Sequence, residues 1–95
     1  MEQIVNKIKN GAKVYDVRSP MEFSGGHFNG AVNIPVQELQ LRIDEFGAKE
    51  EPIVVYCATG NRSGFAAMML NAAGYKDVVN AGGVFNMQNI ADALN

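Results

Sequence analysis

Short apolar runs alternate with amphipathic stretches in the first part of the chain. Apolar residues within 4–8 share one face of a short helix, which we expect to end at Gly11. Residues 13–17 are rich in Val and Tyr, which favours a strand. After a Ser-Pro break, the pattern predicts one helical turn at 21–24 and, beyond a glycine-rich loop, a second strand at 31–34.

The next segment carries the clearest helical periodicity. Its apolar positions follow spacings of three and four residues, which predicts an amphipathic helix over 36–46. Those positions are Val36, Leu39, Ile43 and Phe46.

The second half of the chain is the more apolar half. The run 53–56 predicts a strand that is buried on both faces. Residues 63–73 are apolar on nearly every side, methionines included, which predicts a buried helix. A short strand at 78–79, a turn at 82–83 and a last helix at 84–94 complete the pattern.

The alternation of strands and helices predicts an α/β domain with a parallel sheet and helices on both faces. With 95 residues, we expect one domain that covers residues 1–95. Ligands of such sheets bind at the carboxyl ends of the strands. Cys57 stands at that end of the most buried strand.

Charge and length exclude several classes of partner. The net charge is -2 and no basic stripe is visible, which argues against nucleic acid and anionic membranes. No apolar run approaches the roughly 18 residues of a membrane span. As written, the chain is expected to be cytoplasmic, or periplasmic if Met1 replaces a removed signal peptide.

Cysteine and histidine each occur once, as Cys57 and His27. A single cysteine forms no internal disulfide, and the two residues together make no credible metal site. We therefore expect neither a metal nor another cofactor.

The stretch from Cys57 to Ser63 is the candidate site. A loop that curls from a strand into a helix points successive backbone N–H groups at one spot, and the helix N-terminus adds partial positive charge there. Gly60 permits the positive φ that such a loop requires. The loop is therefore predicted to stabilise a thiolate or persulfide on Cys57.

The magnitudes show that the helix dipole alone is insufficient. A thiol with a pKa near 8.5 is only about 3% ionised at pH 7, and reaching about 75% requires about 2.7 kcal/mol. A helix dipole supplies on the order of 0.3–1 kcal/mol. The loop amides, together with Arg62, have to provide the rest.

Several short segments follow one another along the chain: Asp16-Val17-Arg18 with Glu22-Phe23, Gly26-His27, Gly30 to Pro35, Tyr56-Cys57 with Gly60 and Arg62-Ser63, Gly74-Tyr75, and Asn80 to Gly83. In this order and together, they resemble the rhodanese family of sulfurtransferases along nearly the whole chain. The stretch from Tyr56 to Gly83 looks especially like small single-domain rhodaneses of the bacterial envelope, the phage-shock type. The resemblance implies a persulfide that is taken from a donor such as thiosulfate and passed to cyanide or a thiol.

The resemblance also implies roles for single residues. Cys57 would be the nucleophile and sulfur carrier, and Arg62 would close the loop. The substrate-binding set would be Ala58, Thr59, Gly60, Asn61, Arg62 and Ser63. Implied partners are a small anionic donor, a thiophilic acceptor, and a possible protein thiol or protein persulfide. Many relatives carry a basic residue where this chain has Ala58, which bears on its affinity for thiosulfate.

Other polar residues have more ordinary interpretations. Asp16 and Arg18, after the first strand, are expected to support the site as an ion pair, with direct substrate contact as the alternative. We expect Glu22 to pair with an arginine, with Arg18 as the first candidate, and His27 to be a hydrogen-bonding scaffold residue. Ser63 is expected to cap its helix, or else to donate a hydrogen bond to the outer sulfur.

Two other functions remain open. A cysteine phosphatase or arsenate reductase also uses a Cys-loop-Arg cradle, but the phosphatases of this fold place five residues between Cys and Arg. Here there are four, which suits one added sulfur atom better than a phosphate. The second alternative is a non-catalytic binding module, and the presence of Cys57 argues against it.

Overall fold

The computed structural model describes all 95 residues and contains four strands and four α-helices. In chain order they are α1 (Glu2–Lys9), β1 (Lys13–Asp16), α2 (Pro20–Ser24), β2 (Val32–Asn33), β3 (Ile53–Cys57), α3 (Asn61–Ala72), β4 (Val78–Gly83) and α4 (Val84–Leu94). Two short 3₁₀ helices, Val36–Glu38 and Ile43–Phe46, lie between β2 and β3.

The four strands form one parallel sheet in the order β2-β1-β3-β4. This arrangement confirms the predicted parallel α/β architecture. Asp16 is in register with Tyr56, so the ends of the two central strands reach the same edge of the sheet. That edge is where ligands of parallel sheets bind.

Side chains of β3 alternate between two apolar cores, one on each face of the sheet. Ile53, Val55 and Cys57 belong to a core that is completed by α3 and the 3₁₀ helices. Val54 and Tyr56 belong to a second core, which is completed by α1 and α4. The period-two alternation of a strand thus explains why the whole run 53–57 is buried.

The predicted helix over 36–46 is wrong, because the segment forms two 3₁₀ helices joined by a turn. The apolar pairs Val36/Leu39 and Ile43/Phe46 are each spaced by three residues. That spacing fits the three residues per turn of a 3₁₀ helix as well as an α-helix. Leu39 and Phe46 are nevertheless fully buried, so the segment still covers the core.

Helix α3 is not buried all round, contrary to the prediction. Ser63, Ala66 and Leu70 face the interior, whereas Phe65 and Met68 are 57% and 64% exposed. Apolar composition identifies residues that are able to be buried, and it does not require their burial.

The predicted turn at 82–83 is also wrong. Gly82 and Gly83 are the last residues of β4, and the chain passes from Gly83 directly into α4. No helix has both the length and the apolar character that crossing a membrane requires.

The one-sided burial of α3 yields a stability prediction. Leu70→Ala should lower the free energy of unfolding by about 2–5 kcal/mol, because it leaves a cavity in a core where Leu70 is fully buried. Met68→Ala, on the exposed face of the same helix, should change it by less than about 0.5 kcal/mol. Chemical denaturation of both variants measures the difference, and equal losses would contradict the assigned faces.

Candidate active site

Cys57 is the last residue of β3 and is fully buried. The register between β3 and β4 shifts just before it, so that Cys57 lies opposite Gly83. The sheet therefore fixes the sulfur-bearing residue from two directions, through its own strand and through the end of β4.

The loop after Cys57 turns sharply at Gly60, as the sequence predicts. Gly60 has φ +102° and is the N-cap residue, which immediately precedes the first residue of α3. A Cβ at this position would lie 3.4 Å from the Cα of Gly82, which is close to an ordinary contact, so it is the positive φ that favours glycine here. The turn brings the first amides of α3 back toward the sulfur.

Gly83 holds the loop through a very close backbone approach. A Cβ on Gly83 would lie 2.3 Å from the carbonyl oxygen of Ala58, a distance that no side chain tolerates. Thr59 also forms an antiparallel bridge with Gly83. The sequence predicted a turn at this glycine, although a glycine within a strand often marks a close approach of another backbone segment.

Hydrogen-bond donors converge on the sulfur. The Gly60 amide donates to Cys57 Sγ over 3.0 Å, and Ser63 Oγ lies 3.3 Å from the same atom. Burial raises the pKa of the Cys57 thiol, but the Ser63 hydroxyl and the amides of Ser63, Gly60 and Thr59 together outweigh it and lower the pKa. The geometry favours an anionic sulfur.

Ser63 does not cap α3, contrary to our first expectation. Helix α3 begins two residues earlier, and no side chain caps it. The Ser63 hydroxyl instead lies 2.7 Å from Asn80 Oδ1, and the Asn80 amide group donates to the carbonyl of Gly60. Asn80 therefore ties the loop to β4. In the sequence, Asn80 stood out only as the first residue of the segment Asn80 to Gly83, which belongs to the family resemblance.

Arg62 and Glu22 form a bidentate ion pair across the site. Arg62 Nη1 and Nη2 donate to Glu22 Oε1 and Oε2 over 2.8 and 2.9 Å. Glu22 therefore pairs with an arginine, as expected, but the partner is Arg62 and not Arg18. Hydrogen bonds to Glu22 are the main cause of the raised pKa of Arg62, and the Cys57 side chain makes a smaller contribution in the same direction. The Arg62 guanidinium thus links α2 to the loop that follows Cys57.

Asp16 and Arg18 form a buried ion pair, one of the two interpretations that the sequence left open. Arg18 Nε and Nη2 donate to the Asp16 carboxylate at 2.6–3.0 Å, and Nη2 also donates to the Gly26 carbonyl at 2.8 Å. The Arg18 guanidinium lies 5.7 Å from the centroid of the Tyr56 ring. The pair ties the end of β1 to the glycine-rich loop beside the site.

His27 lies in that glycine-rich loop. Its ring stacks on Phe23, with centroids 3.6 Å apart, and Nδ1 donates to the Phe23 carbonyl over 2.9 Å. These contacts are local to α2 and the loop that follows it. They agree with a scaffold role.

Ala58, Thr59 and Asn61 form the rim of the loop. Thr59 and Asn61 are exposed, and Ala58 is half-buried. Their side chains make no hydrogen bond to Cys57, whose sulfur is contacted by the Gly60 amide and the Ser63 hydroxyl. The structure thus brings the whole predicted loop around one atom.

The parallel sheet and the loop from Cys57 to Ser63 define an α/β domain with a buried cysteine at the carboxyl end of a central strand. The chain belongs to the rhodanese-like domain family, whose model matches residues 1–89.

Named relatives agree with the family assignment. Thiosulfate sulfurtransferase PspE of Escherichia coli is 41% identical over 73% of this chain and 67% of its own length. YqhL of Bacillus subtilis is 42% identical over 78% of this chain, and the chain spans 58% of that protein. The structure of the human single-domain sulfurtransferase TSTD1 superposes with a TM-score of 0.83 at 26% identity, over 94% of this chain and 91% of that one.

The donors around Cys57 yield a prediction about its reactivity. The rate of alkylation by iodoacetamide should rise with pH through a midpoint below the value of about 8.5 that a free thiol shows. In Ser63→Ala the midpoint should move up, and alkylation at pH 7 should slow by up to about tenfold, because a hydrogen bond to the thiolate is lost. A wild-type midpoint at or above that of a free thiol would contradict the prediction.

Proposed function

We propose that this protein is a sulfurtransferase that carries the transferred sulfur as a persulfide on Cys57, in a rhodanese domain that spans residues 1–95. The observation that carries the proposal is the convergence of the Gly60 amide and the Ser63 hydroxyl on Cys57 Sγ. Charge-assisted hydrogen bonds of this kind stabilise both a thiolate and a persulfide anion.

In the loading step, the Cys57 thiolate attacks the outer sulfur of thiosulfate. The new S–S bond forms on Cys57 while the donor's S–S bond breaks, and sulfite leaves with the electron pair of that bond. No proton and no external oxidant is needed, since the total charge is the same before and after. The amides of the loop hold the negative charge as it moves outward by one sulfur atom.

In the discharge step, a nucleophile attacks the outer sulfur of the persulfide. Cyanide takes up the outer sulfur and becomes thiocyanate, and a thiolate that takes it up becomes a persulfide. The electron pair of the cleaved S–S bond returns to the sulfur of Cys57. The half-buried Ala58 and the exposed Thr59 and Asn61 leave the rim free of bulky or charged side chains. Such a rim suits either a small anion or the thiol of a protein partner.

The proposal predicts sulfur transfer that depends on Cys57. Incubation with thiosulfate should add the mass of one sulfur atom to the intact wild-type protein, and cyanide should remove it with release of thiocyanate. Cys57→Ser should show neither change, because a hydroxyl forms no persulfide. Thiocyanate release at the wild-type rate in Cys57→Ser would refute the proposal, as would the absence of loading from every donor tried.

Charge at the rim yields a second prediction. Ala58→Arg should raise kcat/KM for thiosulfate by about two- to tenfold, mostly through KM, because an added cation at a partly solvated rim attracts a dianion. High salt should reduce the gain. Ala48→Arg adds the same charge at an exposed loop position before β3 and should leave the kinetics unchanged. Unaltered thiosulfate kinetics in Ala58→Arg at low salt would show that position 58 does not line the donor's path.

A further inference from the structure

Basic side chains are unevenly distributed between the two ends of the sheet. Every lysine lies shortly before a strand or at its first residue, and therefore toward the amino ends of the strands. Lys7 and Lys9 precede β1, Lys13 is its first residue, Lys49 precedes β3 and Lys76 precedes β4. Arg42 binds Glu38 and Glu45 between the 3₁₀ helices. Only two permanent cations, Arg18 and Arg62, remain at the carboxyl ends.

Both of these arginines are already neutralised by carboxylates. Arg18 is bound by the buried carboxylate of Asp16. Arg62 is bound through two nitrogens by Glu22. The loop from Cys57 to Ser63 therefore presents backbone amide dipoles to an incoming anion, but no positively charged side chain that lacks a carboxylate partner.

Glu22 is held in place independently of Arg62. It is the third residue of α2 and forms a capping box with Ser19, whose amide and hydroxyl both contact Glu22 Oε1 at 3.0 Å. Arg62 above all, and then the Ser19 contacts, lower the pKa of Glu22 to about 2. The carboxylate is therefore a permanent negative charge beside the loop, and the sulfonate end of thiosulfate would have to compete with it for Arg62.

We propose that Glu22 is a specificity-determining residue that disfavours dianionic sulfur donors, so that the preferred donor class is a sulfane compound with at most one negative charge, such as an alkyl persulfide. The inference rests on the proposed sulfur transfer by Cys57. With such a donor, the Cys57 thiolate attacks the terminal sulfur of RS–SH. A persulfide that keeps the proton forms on Cys57, and the thiolate RS⁻ leaves with the electrons of the cleaved bond.

Two thiosulfonyl donors that react in the same way but differ in net charge can test whether donor charge matters. Thiosulfate carries two negative charges, whereas methanethiosulfonate has a methyl group in place of one oxygen and carries one. Both donate the same outer sulfur, and with cyanide as the acceptor both yield thiocyanate. Any difference in their leaving groups cancels when each variant is compared with the wild type on the same donor.

The test is Glu22→Gln, because glutamine at this position retains the capping box while removing the charge. Its kcat/KM for thiosulfate should rise by about three- to tenfold at low salt, and the value for methanethiosulfonate should rise by no more than about twofold. The selective gain should shrink at high salt and should be lost in the double variant Glu22→Gln/Arg62→Gln.

Glu45→Gln is the matched control. Glu45 pairs with Arg42 in the same way, on a 3₁₀ helix whose following residue, Gly47, lies against Lys13 at the start of β1. The control removes one negative charge at the opposite end of the sheet and should leave the ratio of the two donors unchanged. Thermal denaturation of both variants verifies that each remains folded at the assay temperature.

The possible failures are distinguishable. If wild-type Cys57 is loaded by both donors but Glu22→Gln changes their ratio no more than Glu45→Gln does, the role of Glu22 is refuted and the proposed function stands. If neither of these donors nor an alkyl persulfide loads Cys57 in the wild type, the proposed function is refuted and this inference with it. An equal gain for both donors would also overturn the role of Glu22, because it would reflect access to the loop and not donor charge.

Discussion

The candidate site depends on the close contact between Gly83 and the backbone of Ala58. Cys57 is fully buried, so water stabilises its charge poorly and hydrogen bonds from the protein have to do so. Those bonds come from amides that converge only when the loop is bent at Gly60 and pressed against β4. Because a Cβ on Gly83 would overlap the Ala58 carbonyl, the end of β4 fixes the loop more directly than any side chain does.

The charged side chains around the loop serve mainly to join elements. Arg62 links α3 to Glu22 of α2, and Arg18 links the end of β1 to the glycine-rich loop through Asp16 and Gly26. Each arginine is matched by a carboxylate, so the site is assembled by ion pairs without gaining net charge from them. An anionic sulfur is therefore attracted mainly by the backbone amides of the loop that follows Cys57. These dipoles act at short range, so they stabilise charge on the Cys57 sulfur but attract an anion in solvent only weakly.

Sequence analysis located the parallel sheet, the cysteine loop and the bend at Gly60, because each depends on local chemistry or on simple periodicity. The predictions were wrong where one sequence pattern is compatible with two different structures. The three-residue spacing of Ile43 and Phe46 fits either kind of helix, and the apolar Met68 turned out to face solvent. The partner of Glu22 was missed for a different reason. Arg18 is closer in sequence but is bound by Asp16, whereas Arg62, 40 residues from Glu22, reaches it only because the fold brings α2 next to the start of α3.

The amide cradle is also suited to the two states that the proposed cycle requires. A thiolate and a persulfide anion each carry one negative charge, and they differ in position by one S–S bond. Fixed dipoles serve both states without reorganising, whereas a cation placed to bind the donor would also hold the departing anion. Ser63 adds the one adjustable donor. Its single hydrogen lies within reach of both Asn80 Oδ1 and Cys57 Sγ, so we expect the hydroxyl to turn from Asn80 to the sulfur when Cys57 becomes a thiolate.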